Sequence, residues 1–348
     1  MAGQRLWDIF CRVIDNHGDA GVCWRLAADL ASRGEAVRLW IDDPAPLGFM
    51  APRGAAGVEV IRWDAAAPDH EPGDVVIEAF GCDPPLRFVE RMAVRQAAPT
   101  WINLEYLSAE SWVERSHGLP SPQRNGLVKW FYFPGFNERT GGLLREPGLL
   151  AAREAFDREA WLNVQGLAPQ PGERVVVLFC YDNPRLPDFI DALGERPTLL
   201  LSTPGFAQRQ VEALQLPPTV RAQALPWLDQ PGFDRLLWSA DLNVVRGEDS
   251  ILRAVWAGAP FVWHIYPQDD GAHGPKLQAF LDLLNQDASP ANGHALTQVW
   301  RRFNGLEPGS VVLPDLEAWR EQARGLRQRL ADQDDLVTRL LAFVAGKP

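Results

Sequence analysis

Short apolar runs alternate with helical patterns along the first half of the chain. Residues 6–14, 36–41, 58–63, 74–80 and 100–106 predict strands, the central ones apolar enough throughout to be buried on both faces of a parallel sheet. Between the first two, Val22, Leu26, Ala27 and Leu30 form one stripe of a helix over 21–33, with Gly34 as its stop. From 121 to 147 the pattern gives way to Pro, Gly and aromatics, including Lys129-Trp130-Phe131-Tyr132-Phe133-Pro134-Gly135-Phe136. That composition predicts a long loop, either functional or at a domain edge. A helical pattern over 149–164 and the Pro/Gly-rich linker 166–173 follow. A second series then starts afresh, with strands at 174–181, 198–202, 220–225, 241–246 and 260–266. Helices are expected at 186–193, 205–214, 233–240, 250–257 and 276–284, and a helical tail over 315–344.

Alternating β and α elements predict the α/β class, here as two consecutive Rossmann-like domains with a cleft between them. The expected boundary follows residue 165: an N-terminal domain 1–165, onto which the end of the C-terminal helix, 335–348, packs back, and a C-terminal domain 166–334. The length of 348 residues agrees with two domains rather than one.

Composition then narrows the function classes. Lys plus Arg is 34 against 45 for Asp plus Glu, a net charge of −11, the wrong sign for holding nucleic acid by its phosphates. No apolar stretch reaches the roughly 18 uncharged residues of a membrane span, and the first residues lead into a strand rather than a signal peptide, so a cytoplasmic protein is expected. Cys11, Cys23, Cys82 and Cys180 are far apart with no Cys-x-x-Cys pair, which suggests neither a disulfide framework nor a zinc site. Fourteen Trp beside four Tyr point to broad aromatic surface for packing or recognition, and the stretch 130–136 is where some of it is expected to meet a partner.

The dinucleotide, P-loop, zincin and serine-hydrolase motifs are all absent from the sequence, which counts against four enzyme classes. Two loops remain. Asp15-Asn16-His17-Gly18-Asp19-Ala20-Gly21 leaves the first strand and enters the first helix, placing two carboxylates four residues apart at the sheet's carboxyl edge. They read as general-base candidates or as a turn Asp and a helix cap. Arg246-Gly247-Glu248-Asp249-Ser250 joins a strand to a helix start, where free backbone N–H groups, Arg246 and Ser250 suit a diphosphate. Helix capping by Asp249 or Ser250 is the alternative there. Glu248 and Asp249 repel phosphate, so sugar hydroxyls or a cationic acceptor are their partners. Tyr266 and Gln268, the run Phe179-Cys180-Tyr181, and Gln230 with Phe233 stand at the same edge, and an aromatic there can stack on a nucleobase. Asp332-x-Asp334 has metal-binding spacing but lies in a polar helical stretch and reads as solvated surface. Together these loops have the arrangement of a nucleotide-sugar cleft in a GT-B glycosyltransferase.

Trp7-Asp8-Ile9-Phe10-Cys11 with Val13-Ile14-Asp15-Asn16-His17-Gly18-Asp19, Arg246-Gly247-Glu248-Asp249-Ser250 and Ile265-Tyr266-Pro267-Gln268 together resemble the elongation factor P arginine rhamnosyltransferases over nearly the full length. The resemblance implies an inverting GT-B enzyme. Its activity would be to move L-rhamnose from dTDP-β-L-rhamnose to an arginine of elongation factor P, the factor that helps ribosomes stalled at consecutive prolines. No metal or other cofactor, no nucleic acid and no membrane is implied. Asp19 would be the base, Asp15 its essential neighbour and Glu248 the carboxylate that holds or activates the acceptor. The donor would lie in the second domain, Gln230 and Phe233 near thymine, and Tyr181, Arg246, Asp249, Ser250, Tyr266 and Gln268 around ribose, diphosphate and rhamnose. The first domain would receive the protein acceptor. His17 departs from the aromatic that the resemblance implies there. The alternatives are a GT-B transferase using another nucleotide sugar or a small acceptor, and a non-catalytic nucleotide- or translation-factor-binding module.

Overall fold

The apolar runs assemble into two separate sheets. A computed structural model describes residues 3–14, 17–64 and 70–347, and the chain divides into one unit of residues 1–147 with 333–348 and another of 148–332. The first unit holds β1 (Leu6–Cys11), β2 (Ala36–Ile41), β3 (Val58–Arg62), β4 (Val75–Ala79), β5 (Thr100–Leu104), β6 (Pro120–Pro122) and β7 (Val128–Tyr132). Their order is β3-β2-β1-β4-β5-β7-β6, parallel except where β6 runs against β7. The second unit holds β8 (Arg174–Leu178), β9 (Thr198–Ser202), β10 (Val220–Ala224), β11 (Leu242–Arg246) and β12 (Phe261–His264), all parallel in the order β10-β9-β8-β11-β12. In each sheet the strand order reverses once, between β1 and β4 and between β8 and β11. The carboxyl ends beside such a reversal are where open α/β sheets bind ligands.

Burial follows from the sequence. β4 is buried along its whole length, and Phe10 on β1 stacks on Trp40 at 5.2 Å and meets Phe88 edge-on at 4.9 Å. Asp8 lies in this apolar layer because its carboxylate is fully used: it accepts from Arg38 Nε (2.6 Å) and Nη2 (2.8 Å), Trp40 Nε1 (2.8 Å) and the Gly73 N–H (2.6 Å). A Cβ at Gly73 would collide with the Leu6 carbonyl oxygen, so glycine lets the two backbones approach. The tryptophan surplus goes largely into packing, with Trp7, Trp40, Trp256, Trp300 and Trp319 fully buried. All four cysteines are buried thiols.

Four expectations change. The aromatic stretch expected in a long loop is partly β7, parallel to β5, because Val128, Trp130 and Tyr132 alternate on one face even between Pro and Gly. Tyr132, Phe133 and Phe136 of this stretch are buried, and Phe343 lies edge-on to Trp130 at 6.0 Å, while Trp130 and Phe131 stay half-buried. The helical pattern 149–164 is two helices, Leu149–Glu154 and Arg158–Val164, the second capped by Asp157 accepting from the Ala160 N–H. Both belong with the second unit, so the division comes at 147/148 rather than 165/166. Arg158 donates to the Ser239 carbonyl and pairs with Asp241 at 2.7 Å, and Arg153 donates to the Ala257 carbonyl. At the other end, the tail breaks into Leu316–Ala331, in the second unit, and Leu336–Ala345, in the first. Asp335 caps the latter and pairs with Arg33 at 2.7 Å, and the Leu336 N–H donates to the Leu143 carbonyl.

Candidate functional site

In the first unit β1 ends at Cys11 and the chain turns outward. The Val13 N–H donates to Asp42 (2.9 Å) and the Ile14 N–H to Asp19 Oδ2 (2.8 Å), which ties the strand exit to the following helix. Asp15 lies outside the described residues. The helix Gly18–Ser32 starts three residues earlier than its apolar stripe suggests, so Asp19 sits within its first turn and not at its cap. There Asp19 is buried, 4% exposed, close to the positive end of the helix dipole. His17, at the cap position, lies edge-on to Phe49 at 5.3 Å. The Cys82 thiol, which donates to the Phe10 carbonyl, is no rival nucleophile, since burial pushes it up to about 12.

The second unit gathers aromatic rings from beyond the ends of β8 and β9 around an arginine at the end of β11. Arg246 closes β11, is 7% exposed, and holds its guanidinium carbon 4.7 Å from the Phe179 ring centroid, 4.6 Å from Tyr181 and 5.3 Å from Phe206. Its buried Nη1 finds no hydrogen-bond partner among the described residues. A buried, caged guanidinium with an unused N–H at a strand reversal is a ready anion site. Gly247 follows with φ +67°, a left-handed turn that suits glycine, and starts the helix Gly247–Ala257. Glu248 and Asp249 occupy its first turn and Ser250 is buried, so neither Asp249 nor Ser250 is the cap residue.

Around Arg246 the structure gathers several of the expected donor residues. Tyr181 meets Tyr266 edge-on at 5.4 Å, and Phe233 reaches the cage through Phe179 at 5.5 Å. Gln230 is buried at the start of the same helix as Phe233, Gln230–Ser239, which Asp229 caps through the Gly232 N–H. Gln268 stays on an exposed loop, its N–H donating to His273 Nδ1. Three residues escaped the sequence reading. Phe206 follows Gly205 at the carboxyl side of β9 and opens the helix Phe206–Glu212. His264 ends β12 and its Nδ1 accepts from the Tyr181 N–H at 3.2 Å. Lys276 has no local signal, and pairs with Glu248 at 2.8 Å. Asp332, from the Asp-x-Asp pattern, ends the helix Leu316–Ala331 and accepts from Gln328.

Burial, followed by the adjacent Arg246 charge, lowers His264 from the usual 6.5 to about 3. Burial likewise lowers His117 of the first unit to about 4. A histidine that resists protonation when folded takes up protons first in the unfolded chain. Its stabilisation is therefore complete above pH about 6.5 and is lost as the pH falls towards the folded value. The urea midpoint is expected to drop steadily between pH 6.5 and 4, and less steeply in His264→Gln, which keeps an acceptor for the Tyr181 N–H. An unaltered slope in that variant would show that His264 is not a source of the acid sensitivity.

Residues 7–345 match the family described as Elongation-Factor P (EF-P) rhamnosyltransferase EarP. The chain belongs to this family. A protein-arginine rhamnosyltransferase of Pseudomonas putida is 45% identical over 97% of this chain and 98% of its own. A solved structure described as the structural basis for EarP-mediated arginine glycosylation of translation elongation factor EF-P is 32% identical, with TM-score 0.70 over 99% of this chain and all of that one. The calicheamicin glycosyltransferase CalG4, 15% identical with TM-score 0.52 over 99% of both chains, shares the fold alone. The fold is GT-B, with two Rossmann-like units, and as an EarP-family member the chain is an enzyme, a protein-arginine rhamnosyltransferase. That excludes the non-catalytic binding module. Among the described residues, no helix is long and apolar enough to cross a membrane.

Proposed function

We propose that this enzyme transfers L-rhamnose from dTDP-β-L-rhamnose to an arginine side chain of elongation factor P in the cytoplasm, with inversion and without a metal. The caged guanidinium of Arg246 is the observation that carries the donor half of this reading. It supplies an N–H and a positive charge where a diphosphate needs both, and the N-terminus of the helix Gly247–Ala257 adds its dipole. Thymine stacks near Phe233 and Gln230, while Tyr181, Tyr266, Asp249, Ser250 and Gln268 surround ribose, diphosphate and sugar. The acceptor half rests on Asp19. A guanidinium has a pKa above about 12 and no lone pair free to attack carbon, so a carboxylate must take a proton as the new bond forms.

In the step itself a guanidinium nitrogen attacks C1 of rhamnose from the face opposite the diphosphate. The C–N bond forms as the C1–O bond breaks, the proton passes to Asp19, and dTDP leaves with its charge held by Arg246. The β-linked donor becomes an α-linked product. Asp15 assists Asp19, and Glu248 exchanges its Lys276 partner for the acceptor guanidinium. The test is the intact mass of elongation factor P after incubation with the enzyme and dTDP-rhamnose: one added deoxyhexose is expected. No addition, or equal transfer from a UDP-sugar, overturns the acceptor or the donor assignment respectively.

A further inference from the structure

Among the described non-glycine residues, Phe80 alone has a positive φ, +58°. A bulky side chain in the left-handed region is a genuine outlier and persists only where its surroundings over-determine it. Here they do. The Phe80 N–H donates to the Leu104 carbonyl (2.7 Å), the Gly81 N–H to Asn103 Oδ1 (3.3 Å), and Cys82 Sγ to the Phe10 carbonyl (3.0 Å). The strain aims one ring. Phe80 lies face to face with Tyr106, with centroids 4.5 Å apart and planes 16° from parallel.

The location is as informative as the conformation. Phe10 of β1 is in register with Glu78 of β4, and Ala79 of β4 with Leu104 of β5, so Phe80 and Tyr106 stand one and two residues beyond adjoining strand ends. The exit of β1, which leads to Asp19, lies on the same carboxyl edge, and β1 and β4 flank the strand-order reversal of this sheet. Tyr106 is 40% exposed and Ile14, on the β1 exit, 70%, so both present apolar surface at this edge. Glu105, between the strand end and Tyr106, accepts from Asn103 Nδ2 at 2.7 Å and adds a carboxylate to this edge. Aromatic faces beside carboxylates on an acidic protein complement a flat, weakly hydrated cation.

We propose that the Phe80–Tyr106 stack is the wall against which the acceptor's arginine guanidinium lies, an inference that rests on the acceptor reading above. Arginine stacks on aromatic faces, whereas lysine is a compact, strongly hydrated charge, so such a wall also selects arginine over lysine. It holds the guanidinium plane without drawing off its electrons, and leaves proton removal to the carboxylates.

The test compares Tyr106→Ala, Tyr106→Phe and Phe80→Gly, the last removing a ring at a position where glycine relieves the backbone. Steady-state transfer to elongation factor P is measured alongside dTDP-rhamnose affinity by calorimetry. Tyr106→Ala and Phe80→Gly are expected to raise the KM for the acceptor protein tenfold or more, with donor affinity within twofold of the unaltered enzyme and Tyr106→Phe close to it. Acceptor KM values within twofold in both ring-removing variants, or an equal loss of donor affinity, overturn the proposal. Absence of transfer by the unaltered enzyme instead overturns the acceptor reading beneath it.

Discussion

Asp19→Asn is expected to bind dTDP-rhamnose as the unaltered enzyme does and to transfer rhamnose about 10²- to 10⁴-fold more slowly, the range a positioned general base contributes. Two effects of the substitution separate by magnitude. Losing a negative charge in the first helical turn costs about 0.3–1 kcal/mol of stability. Losing the base raises the barrier by about 3–5 kcal/mol. The amide oxygen of asparagine still accepts from the Ile14 N–H, so the strand exit keeps its tie to the helix Gly18–Ser32. Single-turnover transfer to elongation factor P, with calorimetric dTDP-rhamnose affinity and a thermal melt, resolves the three quantities. Turnover within tenfold of the unaltered enzyme would remove Asp19 from the base role.

Arg246→Met is expected to weaken dTDP-rhamnose binding by about 10²- to 10⁴-fold, as the loss of two charge-assisted bonds of about 1.5–3 kcal/mol each requires. Arg246→Lys keeps the charge but loses the fork and the fit between the Phe179, Tyr181 and Phe206 rings, so it too binds at least about tenfold more weakly. Stability should behave differently from affinity. Methionine gives up the cation–π contacts, each about 0.5–2 kcal/mol, and also the cost of a buried Nη1 without a partner, about 1–3 kcal/mol. The two oppose each other, and the melting temperature should change little. Unchanged donor affinity in both variants would remove Arg246 from the donor site. A large fall in melting temperature with affinity retained would make the cage a structural device.

Apolar periodicity alone was enough to reveal two α/β series, because strands buried on both faces of a parallel sheet are mostly apolar, and β1, β4, β8 and β11 carry only one or two polar residues each. The candidate loops were also legible, since ligands of such sheets gather at carboxyl edges, and Arg246, Glu248 and Tyr266 lie at or within two residues of a strand end while Asp19 opens the helix that follows β1. Element ends were less so. The starts of Gly18–Ser32 and Gly247–Ala257 lie in polar residues that continue no apolar stripe, so the helices extend further back than the pattern and take Asp19, Glu248 and Asp249 into their first turns.

What the sequence by itself determined, then, is the class of fold, the two sheets and the carboxylates and arginine at their edges, because hydrophobic burial and strand-to-helix turns are local in the chain. Tertiary structure alone decided the division at residue 147, the aromatic cage of Arg246, the lysine beside Glu248 and the strained Phe80 stacked on Tyr106. Each of these joins residues far apart in sequence. Arg158 reaches Asp241 across 83 positions and Lys276 reaches Glu248 across 28. Such pairings are set by where strands and helices stack, and no periodicity within a window of the chain encodes them.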